Sequence, residues 1–204
     1  MLFFNFIQII YTIPPILIAL TFHEFSHGFI AYKLGDPTAK EKGRLSLNPF
    51  RHLDPIGFLM LLFFKFGWAK PVPYNPYYFS NRKRGTFLVA LAGPLSNLVL
   101  AFLSIIFLFV LQPVNGIVSN FFQLLFLYNI IFFIFNLIPI PPLDGFKIII
   151  SLLPKTVENL FLKYERFGYL ILLMLIITDL LDKILLPMIH FVMEKLIFLA
   201  NIFF

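Results

Sequence analysis

No residue between Thr86 and Leu111 carries a charge, and none does between Phe121 and Ile138. A helix needs about 20 apolar residues to cross the hydrocarbon core of a bilayer, and these two stretches are of that order. Further apolar runs precede and follow them, too many to bury in the core of one small soluble domain. Charged residues make up 13% of the 204, hydrophobic residues 60%, and mean hydropathy is +0.91, whereas a soluble domain carries about 25% charged residues. The pattern predicts an all-α multi-pass membrane protein, with lipid as the solvent for much of its surface.

A first helix is expected from about Phe6 to Leu34, passing through Pro14-Pro15. No basic n-region precedes it, so it reads as a retained span and not a cleaved leader. Gly35 to Asp54 is polar and basic, with turn signals at Asp36-Pro37 and Asn48-Pro49. Within it Arg44-Leu45-Ser46-Leu47-Asn48 alternates polar and apolar, the pattern of a short strand. Pro55 to Phe66 is too short to span and reads as re-entrant or interfacial. The proline-rich stretch from Trp68 to Phe79 disfavours helix and carries the aromatics of a membrane–water boundary. After the spans at Thr86–Leu111 and Phe121–Ile138, a short helix is expected from Asp144. A charged connector follows from Lys155 to Arg166, then a span over Phe167–Leu186 and a last segment over Pro187–Phe204. The expectation is about five to six transmembrane helices, with a short β-hairpin or re-entrant region after the first. The chain reads as one domain, residues 1–204, with a core over about 6–150 and C-terminal helices over about 155–204.

The net charge of +6 does not point to nucleic acid. Ten of the sixteen Lys and Arg lie in residues 33–84, between apolar spans, where the positive-inside rule places cytoplasmic loops. The uncharged loop Gln112–Asn120 falls on the opposite side. His27 then sits six residues, or roughly 9 Å of helix, inside the first basic flank. Asp144 follows the later span at its return to the same side, so the two can share a depth. A cell-membrane protein with His27 and Asp144 near the cytoplasmic face is the expected arrangement. The absence of cysteine excludes disulfides and thiolate metal ligands.

That depth matters because His23-Glu24-Phe25-Ser26-His27 is an H-E-x-x-H pattern on a helix. A spacing of four stacks both imidazoles on one face, where both can bind one zinc ion, and Glu24 stands beside them as a general base. Three ionisable residues inside a span each cost about 2.5–3.5 kcal/mol on insertion scales, which marks function more than packing. Two histidines leave a catalytic zinc site short of its usual three protein ligands. His52 reads as a solvated loop residue, and His190 falls at the opposite membrane face. Asp144, in Asn136-Leu137-Ile138-Pro139-Ile140-Pro141-Pro142-Leu143-Asp144-Gly145, is either a metal ligand or the N-cap of the helix that follows.

With these residues in place, the chain resembles the compact form of the site-2 protease family of intramembrane zinc metalloproteases. That family carries H-E-x-x-H in one membrane helix and an N-x-x-P-x-x-x-L-D-G-type motif in a later one. Both are present in order, at His23–His27 and Asn136–Gly145. Ala92-Gly93-Pro94-Leu95-Ser96-Asn97 is similar to the glycine- and asparagine-bearing stretch of the core helix between them. The resemblance covers roughly residues 15–150 and implies that Asp144 is the third ligand of one catalytic Zn2+. Asn136 and Asn97 are amides within apolar spans. Each either bonds between helices or faces the cleft to bind substrate or support an oxyanion. Gly93-Pro94 either kinks its helix or allows close approach.

The implied activity is zinc-dependent endopeptidase cleavage within or beside transmembrane helices of membrane-protein substrates. Arg44–Asn48, as an edge strand, would let an unwound substrate add as another strand. The alternatives are an ion transporter or channel using intramembrane His, Glu and Asp, and an inactive metal-bearing scaffold. Expected partners are a transmembrane-helix substrate and the bilayer, without nucleic acid. Nothing in the sequence selects an oligomeric state.

Overall fold

A computed structural model describes residues 6–64, 67–112 and 115–203 of the chain. The regular elements are helices, most of them joined by short turns, with longer connections before α3 and before α4. In order they are α1 (Phe6–Lys33), α2 (Thr38–Glu41), α3 (Pro55–Phe64), α4 (Arg82–Leu111), α5 (Gly116–Asn136), α6 (Asp144–Leu152), α7 (Lys155–Tyr164), α8 (Gly168–Ile177) and α9 (Leu180–Phe203). The helix starts obey local chemistry. Asn81 accepts a hydrogen bond from the Arg84 N–H at the start of α4, and Asn115 accepts from the Ile117 N–H at the start of α5.

Helices α4 and α5 pack against one another along their length, α1 lies against both, and α9 closes a second face. Ala101 and Ile105 of α4, Phe126, Ile130 and Ile134 of α5, and Leu181, Leu185, Ile189, Leu196 and Ala200 of α9 form the main apolar core. Small buried residues lie where α1 meets α4: Ala19, whose carbonyl accepts from Asn97, and Gly93, beside the rings of His23 and His27. In lipid, where apolar burial gives helices no advantage, such residues let backbones approach closely. The outer faces stay apolar, as with Val99, Leu103 and Phe198, each more than half exposed, and lipid is the environment that suits them.

Among the described residues, α4, α5 and α9 are long and apolar enough to cross a membrane. The sequence expectation of about five to six spans is not met. Its Phe167–Leu186 span breaks at Thr178-Asp179, where Asp179 takes a left-handed backbone (φ 54°) and the Thr178 hydroxyl bonds back to the Met174 carbonyl at 2.7 Å. Beyond the break the chain runs as one helix, α9, with Pro187 inside it. Helix α3 has only ten residues, and the end of the expected Pro55–Phe66 segment lies outside the described residues.

The expected β-hairpin is also absent among the described residues. The Arg44 and Leu45 N–H groups donate back to the Ala39 carbonyl, after Gly43 turns the chain at φ 63°. Asn48 accepts from the Phe50 N–H to start a 3₁₀ turn over Pro49–Arg51. These local bonds consume the groups a strand ladder would need. An isolated antiparallel bridge, Leu53 with Ala69, is the pairing that remains.

Candidate metal centre

The side chains of His23 and His27 point from α1 into the interface with α4 and α6, that of Glu24 reaches the Val72 backbone, and all three are buried. Asp144 is the first residue of α6. Leu143 holds the N-cap position, and the Asp144 carboxylate faces the histidines: Oδ2 lies 3.1 Å from His23 Nε2 and 3.0 Å from His27 Nε2. The two Nε2 atoms are themselves 3.0 Å apart. The three atoms lie close enough together to hold one metal ion. Gly145 makes this placement possible, since a Cβ there would sit 2.2 Å from the Leu137 carbonyl oxygen. The start of α6 is therefore pressed against the end of α5.

Behind the imidazoles, hydrogen bonds decide which nitrogen carries the proton. Asn129 Nδ2 donates to the Leu125 carbonyl at 2.7 Å, which leaves its Oδ1 to accept from Asn97 Nδ2 at 2.9 Å. Asn97 Nδ2 also donates to the Ala19 carbonyl at 3.0 Å, so its Oδ1 faces His23 Nδ1 at 2.7 Å. His23 must then hold its proton on Nδ1. His27 Nδ1 likewise donates to the Val89 carbonyl at 2.7 Å. Both Nε2 atoms are left as lone pairs, converging on a carboxylate oxygen.

Three acceptors at such separations repel unless a metal ion or a shared proton lies among them. Zinc suits the set: bonds of about 2.0–2.1 Å to nitrogen and oxygen give tetrahedral edges of about 3.3 Å, close to the triangle seen here. The outer partners are those that orient metal-binding histidines and raise their basicity.

Asn97 is wholly buried, with both faces of its amide engaged. It braces His23 and does not face a cleft, so its expected substrate or oxyanion contact is set aside. Asn136 donates from Nδ2 to the Phe132 carbonyl one turn back, at 3.0 Å, and makes no other side-chain hydrogen bond among the described residues. Gly93 serves close approach: a Cβ there would lie 2.4 Å from His27 Nε2 and 2.7 Å from His23 Cε1. His52 corrects its sequence reading. It is fully buried, with Nε2 donating to the Ser46 carbonyl at 2.7 Å. His190 is exposed on α9.

Residues that sequence reasoning passed over complete the surroundings. Lys147 lies one turn along α6, with Nζ 3.4 Å from Asp144 Oδ1, the i,i+3 spacing that could have flagged it. Asn129 had no motif to mark it. Glu24 Oε2 accepts a hydrogen bond from the Val72 N–H at 2.8 Å. Burial pushes the Arg44 guanidinium down from its usual pKa, opposed by the charge of Glu24. Burial pushes the Tyr74 phenol up, opposed by Lys147.

A bundle of membrane helices enclosing two histidines and a glutamate of H-E-x-x-H, with a carboxylate brought in from a distant helix, defines the class: a zinc metalloprotease of membrane type. Comparison with known proteins agrees. The sequence profile of peptidase family M50 matches residues 112–178. Three similar proteins bear the name "Putative zinc metalloprotease". YwhC of Bacillus subtilis (strain 168) is 40% identical over 189 residues, covering 88% of this chain and 86% of that protein. Rip2 of Mycolicibacterium smegmatis is 29% identical, covering 82% and 66%. MJ0611 of Methanocaldococcus jannaschii is 30% identical, covering 71% and 73%. No solved structure matches. The chain belongs to peptidase family M50, the site-2 protease family of zinc metalloproteases.

Proposed function

We propose that the protein is a zinc-dependent endopeptidase that hydrolyses peptide bonds within or next to the transmembrane helices of membrane-protein substrates. The observation that carries this reading is the triangle of His23 Nε2, His27 Nε2 and Asp144 Oδ2, all three residues buried, in a bundle whose outer faces are apolar. A soluble substrate would have no reason to meet a site placed among such helices.

In this reading His23, His27 and Asp144 hold the ion. When bound, zinc supplies Lewis acidity, drawing the pKa of water towards neutrality and polarising a carbonyl oxygen. Glu24 takes the proton from the attacking water and delivers it to the leaving amine. Asn97 and the Val89 carbonyl keep both imidazoles in the tautomer that leaves Nε2 free. Lys147 holds the other oxygen of Asp144, fixing which edge of the carboxylate faces the histidines. Asn136, at the end of α5, has an amide oxygen available for a substrate backbone N–H.

The basic residues between α1 and the start of α4 support a cell-membrane orientation with the site near the cytoplasmic face. One domain carries the activity, and the expected partners are a substrate helix and the lipid. The test compares wild type with Glu24→Gln in detergent or liposomes on a transmembrane-helix substrate. Cleavage should fall by at least about 10²-fold, as for loss of a general base, with zinc content unchanged. Cleavage that survives in Glu24→Gln refutes the assignment.

A further inference from the structure

We infer that the extended segment Lys70–Tyr74 is a strap that positions Glu24, with Val72 as its contact and Arg44 as its anchor. The inference rests on Glu24 being the base proposed above.

The strap is specialised at a single atom. Pro71 and Pro73 have no N–H, so Val72 supplies the one backbone donor between Lys70 and Tyr74, and it is spent on Glu24 Oε2 at 2.8 Å. Both residues are buried. Seating is equally specific. Gly28, one turn along α1 from Glu24, leaves a notch filled by the Val72 side chain, whose Cγ1 would lie 3.1 Å from a Cβ at Gly28.

The strap is pinned on both sides of Val72. The Lys70 N–H donates to the His52 carbonyl at 2.9 Å, and the Lys70 carbonyl accepts from Arg44 Nη2 at 2.5 Å. The Asn75 N–H donates to Oδ2 of the buried Asp36 at 2.6 Å. Arg44 is itself buried, and its Nε has no hydrogen-bond partner among the described residues.

These contacts answer a difficulty created by the site itself. The charge of Glu24 acts on two cations, Arg44 and Lys147. A carboxylate free to rotate would pair with one of them, turn away from the substrate and lose its use as a base. The Val72 N–H holds one oxygen without adding a charge. Arg44 is committed to the Lys70 carbonyl, which keeps it in the strap and off the carboxylate. Glu24 Oε1, which accepts no hydrogen bond among the described residues, is left to receive the proton. Misplacing a catalytic group by about 1 Å is enough to cost about 10²-fold in rate, so the strap should be felt in kcat.

The test uses the full chain in detergent with a transmembrane-helix peptide, reading kcat, KM and zinc content separately. Val72→Pro deletes one N–H from a segment already extended between prolines. It should lower kcat by about 10- to 100-fold with KM and zinc content near wild type. Arg44→Gln should act in the same direction, and Arg44→Lys, which keeps a donor for the Lys70 carbonyl, should recover most of the loss. The double variant Val72→Pro/Arg44→Gln should be no worse than Val72→Pro alone, because both act through one contact.

A wild-type or raised kcat in Val72→Pro overturns the inference, the raised value marking the strap as an obstruction. A rise in KM with kcat unchanged also overturns it, since the strap would then bind substrate. Should Val72→Pro fail to fold or lose zinc, the Arg44 variants decide: Arg44→Gln at wild-type kcat, or Arg44→Lys no better than Arg44→Gln, overturns it. Activity persisting in Glu24→Gln would instead refute the base. An inactive Glu24→Gln beside a fully active Val72→Pro refutes the strap alone.

Discussion

Replacing Gly93 by alanine puts a methyl group 2.4 Å from His27 Nε2, 2.6 Å from His27 Cε1 and 2.7 Å from His23 Cε1. Ordinary contact begins near 3.4 Å, so the two rings and the new carbon must separate by about 1 Å. Neither ring is free to yield. His27 is tied through Nδ1 to the Val89 carbonyl on α4, the helix that carries the new methyl, and His23 is tied to Asn97 on the same helix. Relief must come by moving α4 away from α1, which stretches both bonds and opens the triangle to Asp144. Overpacking of this kind costs about 1–3 kcal/mol, and losing an imidazole's outer partner lowers metal affinity about 10- to 100-fold. Gly93→Ala should therefore lose zinc to a chelator at least tenfold more readily than wild type, with cleavage falling at least as far. Zinc content after dialysis against graded chelator, in detergent, measures it. Gly116→Ala is the control, because a Cβ there meets nothing within 4 Å. A Gly93→Ala protein that holds zinc as tightly as wild type would refute the argument that close approach of α4 builds the site.

Two further outcomes test the same centre. Asn97→Ala removes the partner of His23 Nδ1 and strands the Asn129 amide oxygen; zinc affinity should drop about 10- to 100-fold, whereas a change in KM alone would restore a substrate role for Asn97. Asp144→Ala should abolish stoichiometric zinc binding, since it removes the oxygen that meets both Nε2 atoms, and leave α6 intact, since Leu143 holds the N-cap position; unchanged zinc with a destabilised α6 would revive the capping reading.

The class of protein and one face of the site were legible in the sequence because both are local. A run from Thr86 to Leu111 without a charge is long and apolar enough to cross a membrane, and a four-residue spacing puts His23 and His27 on one side of a helix wherever that helix lies. Local periodicity did not settle the helix count. Phe167 to Leu186 is apolar throughout but for Thr178, Asp179, Asp182 and Lys183, and the break there depends on Asp179 adopting a left-handed backbone. The strand expected at Arg44–Asn48 failed for a similar reason. Alternation predicts a strand only if a neighbour supplies the ladder, and the backbone groups there bond within their own turns.

His23, Glu24 and His27, then, belong to the sequence: their type and spacing dictate a two-histidine face with a carboxylate beside it. The family resemblance already names Asp144, but bringing it to that face needed the tertiary structure. Asp144 lies 121 residues from His23, and no periodicity spans that gap; the α5–α6 turn and the bare backbone of Gly145 bring it there. The same holds for Asn97 behind His23, for Gly93 against both rings, and for Val72 and Arg44 around Glu24. Each depends on how closely two separate segments approach, a distance set by packing and hydrogen bonds between helices and not by any order of residues along one of them.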